Sequence, residues 1–351
     1  MLNKPVTIYQ IAEEAKVSIA TVSRVLAKHP NVSKTTRARV QAIIDARHFY
    51  PSSTARSLDR GVSRALGIIL PGMDNPYFCS IYMGAVQEAK KNDYSLVPQY
   101  LAANECIGPE GVSRLIEQRL DGVLFIGGPT AAPHEQLIFE LTQLQRYMPV
   151  VALSPPLGDF TCTYLYNDLA DAMRQVIRHL QALGHYRIAF LGGSDQIRNS
   201  GARGRAFLET MGAHNLWTDV RYHHEAGYTP EAGELAVLKL LSSLGQYAWP
   251  TALVAINDLV ALGALRQLHR MKVRVPHDIA IVGCDNQFFS AFIDPPLTTI
   301  DLQPASHAQS AIDVLLDAQK NKAGAFTYIR EAPLVVRESC GVKLGRRSFS
   351  N

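Results

Sequence analysis

No stretch of this 351-residue chain approaches the ~20 consecutive apolar residues that a membrane span requires, so no membrane-spanning segment is expected. The N-terminus carries polar helical signals where a secretory leader would have an apolar core, which points to a protein retained inside the cell. Cysteine is sparse and scattered: Cys79, Cys106, Cys162, Cys284 and Cys340 are odd in number and show no C-x-x-C spacing. They suit small buried hydrophobes in a reducing compartment, not a disulfide frame or a zinc site. Catalytic signatures are also missing. There is no G-x-G-x-x-G after a candidate strand, no Walker A loop, no H-E-x-x-H and no G-x-S-x-G. An enzyme is therefore not expected, nor is a cofactor. His223-His224-Glu225 is the one metal-like cluster, and without a third ligand at helical spacing it reads as a loop. Gly192-Gly193-Ser194 is too short to be a specific phosphate cradle.

What is present is a strong asymmetry of charge. Residues 1–64 carry a net charge of +7 and the rest of the chain −3, which the overall +4 conceals. Charge that served solubility alone would be spread evenly; a compact basic module is what neutralising phosphates requires. Within that module, Thr7 to Leu26 holds two helix starts separated by a tight turn. Thr7 with Gln10 has the spacing of a capping box, and Ser18 is a second candidate cap. Ile8, Ile11, Ala12 and Ala15 form one apolar stripe, and Val22, Val25 and Leu26 another. Ser33 opens a third helix with Val40, Ile43 and Ile44 inward. Two short helices facing each other, with a polar outer face on the second, form the unit that enters a DNA major groove.

Pro51 to Leu58 is long enough for two helical turns, yet an isolated helix of that length is unstable in water. From Ala65 onward short apolar runs alternate with amphipathic helices: 66–70, 95–98, 122–126, 150–153, then 187–191, 252–256 and 279–283, with helices expected at 78–90, 168–183 and 258–270. With 47% hydrophobic and 19% charged residues the chain can bury a large core. The alternation predicts doubly wound α/β layers in two lobes. No repeat, low-complexity tract or heptad occurs.

Six segments stand in one order: Thr21-Val22-Ser23-Arg24-Val25-Leu26; Tyr50-Pro51 with Ala55-Arg56-Ser57-Leu58; Asn75-Pro76-Tyr77-Phe78; Leu183-Gly184-His185; Asn257-Asp258 with Ala261-Leu262-Gly263-Ala264; and Pro295-Pro296-Leu297-Thr298-Thr299-Ile300. Together, over residues 5 to about 340, they resemble the LacI/GalR family of bacterial transcription regulators. The resemblance implies an all-α helix-turn-helix head (1–50) and a hinge helix and linker (51–63). These join an α/β two-lobed, periplasmic-binding-protein-like domain of doubly wound parallel sheets (64–342) and a tail (343–351). The expected lobes are 64–164 with 297–329, and 165–296 with 330–342. It further implies a homodimer on a near-palindromic double-stranded operator, controlled by a small molecule, most simply a sugar. The lack of a heptad favours a dimer over a tetramer.

On that resemblance the DNA-binding positions are Thr7, Ser18, Ile19, Ala20, Thr21, Ser23, Arg24, Ser33, Tyr50, Ala55, Arg56 and Leu58. Arg24 suits a bidentate contact to guanine, whereas Ile19 and Ala20 can read only thymine methyls or shape, unless they pack inside. Leu58 matches the family's minor-groove wedge, the alternative being a linker leucine packed on the lobe. Two residues depart from the family pattern. Lys16 stands where glycine is frequent, at about 1 kcal/mol if the backbone there is left-handed, and Asp59 replaces a commonly basic residue.

The effector positions implied are Tyr77, Phe78, Ser154, Arg203, Tyr228, Asn257 and Asp285. Asp285 accepts, Arg203 donates and Asn257 does both, so the trio suits adjacent hydroxyls, while the aromatic residues suit the apolar face of a ring. Arg205 is the alternative to Arg203; Asp285 as a helix cap and Tyr228 as core are the alternatives for those two. A soluble sugar-binding protein or an α/β enzyme is the competing function, and the basic head argues against both.

Overall fold

A computed structural model of the chain describes residues 6–26, 28–49, 63–102, 105–128, 134–192, 198–214, 216, 222–321 and 324–344. The chain divides into two compact units, Met1–Ser63 and Arg64–Asn351. In the first, α1 (Ile8–Glu14), α2 (Ile19–Leu26) and α3 (Lys34–Ala46) enclose a core of Ile11, Ala12, Ala15, Val22, Val25, Val40, Ile44 and Phe49. Each helix start is capped as its sequence predicts. Thr7 and Gln10 close a reciprocal capping box, Ser18 Oγ accepts from Thr21 N at 3.2 Å, and Ser33 Oγ accepts from Thr36 N at 3.1 Å. Lys16, in the turn between α1 and α2, has φ 52°, the left-handed backbone that glycine adopts more readily.

The second unit contains two six-stranded sheets. The first is built from β1 (Ala65–Pro71), β2 (Ser95–Leu101), β3 (Val123–Ile126), β4 (Val150–Leu153), β5 (Thr163–Asn167) and β11 (Thr327–Arg330), in the order β11-β5-β4-β3-β1-β2, all parallel. The second combines β6 (Ile188–Gly192), β7 (His223–Glu225), β8 (Ala252–Ala255), β9 (Ala280–Cys284), β10 (Thr298–Ile300) and β12 (Leu334–Val335), in the order β12-β10-β9-β8-β6-β7. Only β12 among these runs antiparallel, with Thr299 opposite Val335. The central strands are buried on both sides, which is why they read as unbroken apolar runs.

Between the strands lie α4 (Pro76–Lys91), α5 (Gly108–Glu117), α6 (His134–Gln145), α7 (Leu169–Ala182), α8 (Arg198–Ala213), α9 (Pro230–Ser242), α10 (Asp258–Arg270) and α11 (Pro304–Asn321). Helices α9 and α10 approach closely: a Cβ on Gly263 would sit 1.7 Å from Pro230 O, and one on Gly233 would sit 2.2 Å from Val260 O. Only hydrogen fits there.

Two expectations change. The lobe boundaries move, because β5 belongs wholly to the first sheet and β10 to the second, where Thr298 pairs with Val282. The chain therefore crosses between lobes after Asn167, after Ile300 and between Arg330 and Leu334, not at 164 and 297. His223-His224-Glu225, expected as a loop, forms edge strand β7, with Phe190 opposite His223. Among the described residues no helix is long and apolar enough to cross a membrane, and no group of three metal-ligating side chains occurs.

Candidate functional site

In open parallel sheets, ligands gather where strands end and their connections diverge to either side. The second unit follows that rule. A cavity of about 1000 Å³ is lined by Pro71 at the end of β1 and Gly72 after it, Gly127 and Gly128 beyond β3, Ser154 after β4, Asn167 at the end of β5, Asn257 beyond β8 and Asp285 after β9. Tyr77, Phe78, Ser154, Arg203, Tyr228, Asn257 and Asp285 are all brought together here. Arg203 lines the cavity, whereas Arg205 is exposed and does not.

Asp285 is the electrostatic centre. Its residue is 3% exposed, and its carboxylate makes no hydrogen bond and no ion pair within 4 Å among the described residues. Burial pushes its pKa well above the carboxylate range; the Arg203 guanidinium opposes that shift and the Asp258 carboxyl reinforces it. Asp285 caps no helix. It sits at φ 120°, followed by Asn286 at φ 53°, two consecutive backbones that L side chains rarely adopt. Arg203 Nη1 donates to Ile256 O at 2.7 Å, which ties the guanidinium to the end of β8, while Nε is buried without a partner.

The strained turn is held by Asp258, a residue with no role in the sequence reading beyond its place in a family segment. It is fully buried and accepts from Gln287 N at 2.7 Å, Ser290 Oγ at 2.7 Å and Thr299 Oγ1 at 2.5 Å. Asn286 is pinned from the other side, its Oδ1 accepting from Arg337 Nη2 at 2.7 Å. Asp258→Ala removes the acceptor of three donors, a loss of about 1–3 kcal/mol for each that finds no other partner. At roughly 2–4 °C per kcal/mol, the thermal midpoint is expected to fall by several degrees; an unchanged midpoint contradicts the holding role.

Asn257 already has two partners within the fold. Its Oδ1 accepts from Val260 N at 2.8 Å and its Nδ2 donates to Tyr228 O at 3.1 Å, so both ends of the amide are already engaged. It caps α10 and holds the backbone of Tyr228, and its amide keeps one further N–H and one further lone pair while lining the cavity. Ser154 is 4% exposed and donates to Pro155 O at 2.8 Å. Phe78 is part of the first lobe's core and meets Tyr77 edge-on, with centroids 5.3 Å apart. Tyr77 packs against the cores of both lobes, and Tyr228 against that of the second while also lining the cavity.

Asn167 and His307 were not among the expected residues, yet both line the cavity and each has a buried side-chain nitrogen (Nδ2 and Nε2) without a partner. Asn167 ends β5, where a polar residue at a strand's carboxyl end was the available signal. His307 lies inside α11 and has no comparable local signature.

In the head, α2 buries Val22 and Val25 and leaves Ile19 41% exposed, with Ala20 and Arg24 also exposed. Ile19 and Ala20 therefore do not pack inside. Ser18 and Thr21 hydroxyls bond each other at 2.9 Å at the start of α2, and Ser23 is half-buried. Tyr50, Ala55, Arg56 and Leu58 lie outside the described residues.

Comparison with known proteins agrees with this architecture. Residues 7–52 match the profile of bacterial regulatory proteins of the lacI family, and residues 177–340 that of a periplasmic binding protein-like domain. The chain belongs to the LacI family. This LacI-family chain is 29% identical over 335 residues to the HTH-type transcriptional repressor CytR of Escherichia coli (strain K12), covering 95% of the chain and 96% of that protein. It is 28% identical over 333 residues to the HTH-type transcriptional repressor PurR of Aliivibrio fischeri (strain MJ11), covering 95% and 97%. It superposes on the lac repressor dimer bound to operator and the anti-inducer ONPF with a TM-score of 0.85, at 26% identity, over 96% of this chain and 99% of that one. The LacI-family chain is thus a DNA-binding transcription regulator, and the relatives named are repressors, not enzymes.

Proposed function

We propose that the chain represses transcription in the cytoplasm, on the nucleoid, as a homodimer whose two heads read the halves of a near-palindromic operator, and that a sugar or sugar derivative in the cleft controls its grip. The observation that carries the DNA reading is the outer face of α2: Ile19, Ala20 and Arg24 are exposed on a helix whose inner face is fully committed to the core. Arg24 would read a guanine edge, with Thr7, Ser18, Thr21 and Ser33 at the helix starts, and Ser23 within α2, near phosphates. Tyr50, Ala55, Arg56 and Leu58 would extend the contact into the minor groove. Support for a second copy comes from the second lobe, where Phe288 and Phe292 are 76% and 84% exposed, an apolar pair left to solvent. Arg24→Ala is expected to weaken binding to the duplex that wild type selects by about 1–3 kcal/mol, read by fluorescence anisotropy. Equal affinity removes Arg24 from the base contacts.

In the cleft, Asp285 supplies an acceptor and Arg203 a donor for hydroxyls, and Tyr77 and Tyr228 offer ring faces. A molecule that prefers one arrangement of the lobes shifts the population toward it, and by linkage DNA binding shifts too. The segment Pro51 to Leu58, which lies outside the described residues, is the proposed relay.

A further inference from the structure

We infer that the effector is an uncharged molecule, carrying neither phosphate nor carboxylate, and that Asn167 and His307 are its hydrogen-bond partners on the first lobe. The inference rests on the effector reading above and narrows it. Three side-chain nitrogens, Asn167 Nδ2, Arg203 Nε and His307 Nε2, are buried without hydrogen-bond partners, and all three residues line the one cavity. Native interiors rarely leave such groups unpaired, since each forfeits its interactions with water and gains nothing in return. Arg203 belongs to the second lobe, whereas Asn167 ends β5 of the first sheet and His307 sits in α11, whose Ala308, Ala311 and Ile312 pack in the first lobe's core. A molecule satisfying all three therefore touches both lobes.

Charge sets the class. Among the described residues lining the cavity, Arg203 is the one full cation against four carboxyls: Asp74, Glu105, Glu231 and Asp285. His307 adds no positive charge at neutral pH, because burial and the nearby Arg330 push its imidazole down to about 4. A phosphate would meet one guanidinium already facing Asp285, with three acids at exposed positions around it. The helix N-termini at the cavity are partly occupied. Asn75, Thr229 and Asn257 already accept from Tyr77 N, Ala232 N and Val260 N, and proline removes a donor from the first turns of α4 and α9. What the cavity offers instead is neutral donors and acceptors beside tyrosine faces, which suit hydroxyls, carbonyls and ring nitrogens.

The test is equilibrium dialysis of the full chain against a deproteinised bacterial metabolite extract, with mass spectrometry of the retained small molecules. Wild type is expected to enrich a metabolite without phosphate or carboxylate. Asn167→Leu and His307→Leu should each lower its retention on the order of tenfold, with the ligand-free melting temperature unchanged, and His307→Gln should recover part of it. Enrichment of a phosphorylated or carboxylated metabolite overturns the inference while leaving the effector reading intact, as does undiminished retention in both leucine variants. The charge of the retained molecule is read on wild type, so it stands even where a variant fails to fold. Retention of nothing by wild type overturns the effector reading itself.

Discussion

Raising the salt concentration from 50 to 200 mM is expected to weaken operator binding by roughly 10³–10⁵-fold, the range for about six to ten neutralised phosphates. The reason lies in where the charge sits. The first 64 residues hold a net +7 while the rest of the chain is net negative, so attraction to the duplex is concentrated in the head. Two such heads on one operator release enough condensed counterions to give a steep log–log slope. Arg24→Ala, by contrast, should lower affinity chiefly at the base it reads, so the two effects separate experimentally. Titration of a labelled duplex at several salt concentrations measures the slope. A flat dependence contradicts the assignment of the basic segment to phosphate contact.

The second large effect concerns the cleft. Asp285→Ala is expected to abolish the effector response while leaving effector-free DNA affinity as it was. The carboxylate is buried, faces no ion-pair partner within 4 Å among the described residues, and occupies a backbone conformation that three hydrogen bonds to Asp258 help to maintain. A strained, unpaired acid at strand ends is poorly explained by stability alone and well explained by a ligand. Removing one partner of a buried hydrogen bond costs about 1–3 kcal/mol, so ligand affinity should fall by roughly five- to more than a hundredfold. Anisotropy of the operator complex, with and without the small molecule identified by dialysis, reads both quantities. An intact response removes Asp285 from the recognition of that molecule.

These two expectations draw on features of unequal visibility in the sequence. The head is legible almost entirely because its signals are local: Thr7 with Gln10, Ser18 and Ser33 each mark a helix start, and the apolar spacing marks the buried face. The central strands are legible for a similar reason, since a strand covered on both faces must be apolar throughout. The edge and crossover strands are not. β10 and β12 are three and two residues long, and β11 pairs with β5 across more than 150 residues, so nothing nearby announces their partners. The lobe boundaries were displaced for that reason.

In the cleft, residue type identified where chemistry could occur but not how each group was already occupied. Asn257 has the donors and acceptor a sugar would use, yet α10 and Tyr228 already take one position at each end of its amide. Asp258, one position later, is the more consequential side chain, and only the fold shows that it holds the Asp285 turn through contacts 29 to 41 residues away. His307 lies on a helix whose sequence pattern gives no reason to single out one buried position.

The account is tested most directly by selection from a random duplex library with the full-length protein at low salt. The result expected is enrichment of two inverted half-sites about one helical turn apart centre to centre, or a multiple of it, with the enrichment lost in Arg24→Ala. Recovery of no shared sequence, or of an unsymmetrical one read equally well by Arg24→Ala, contradicts it.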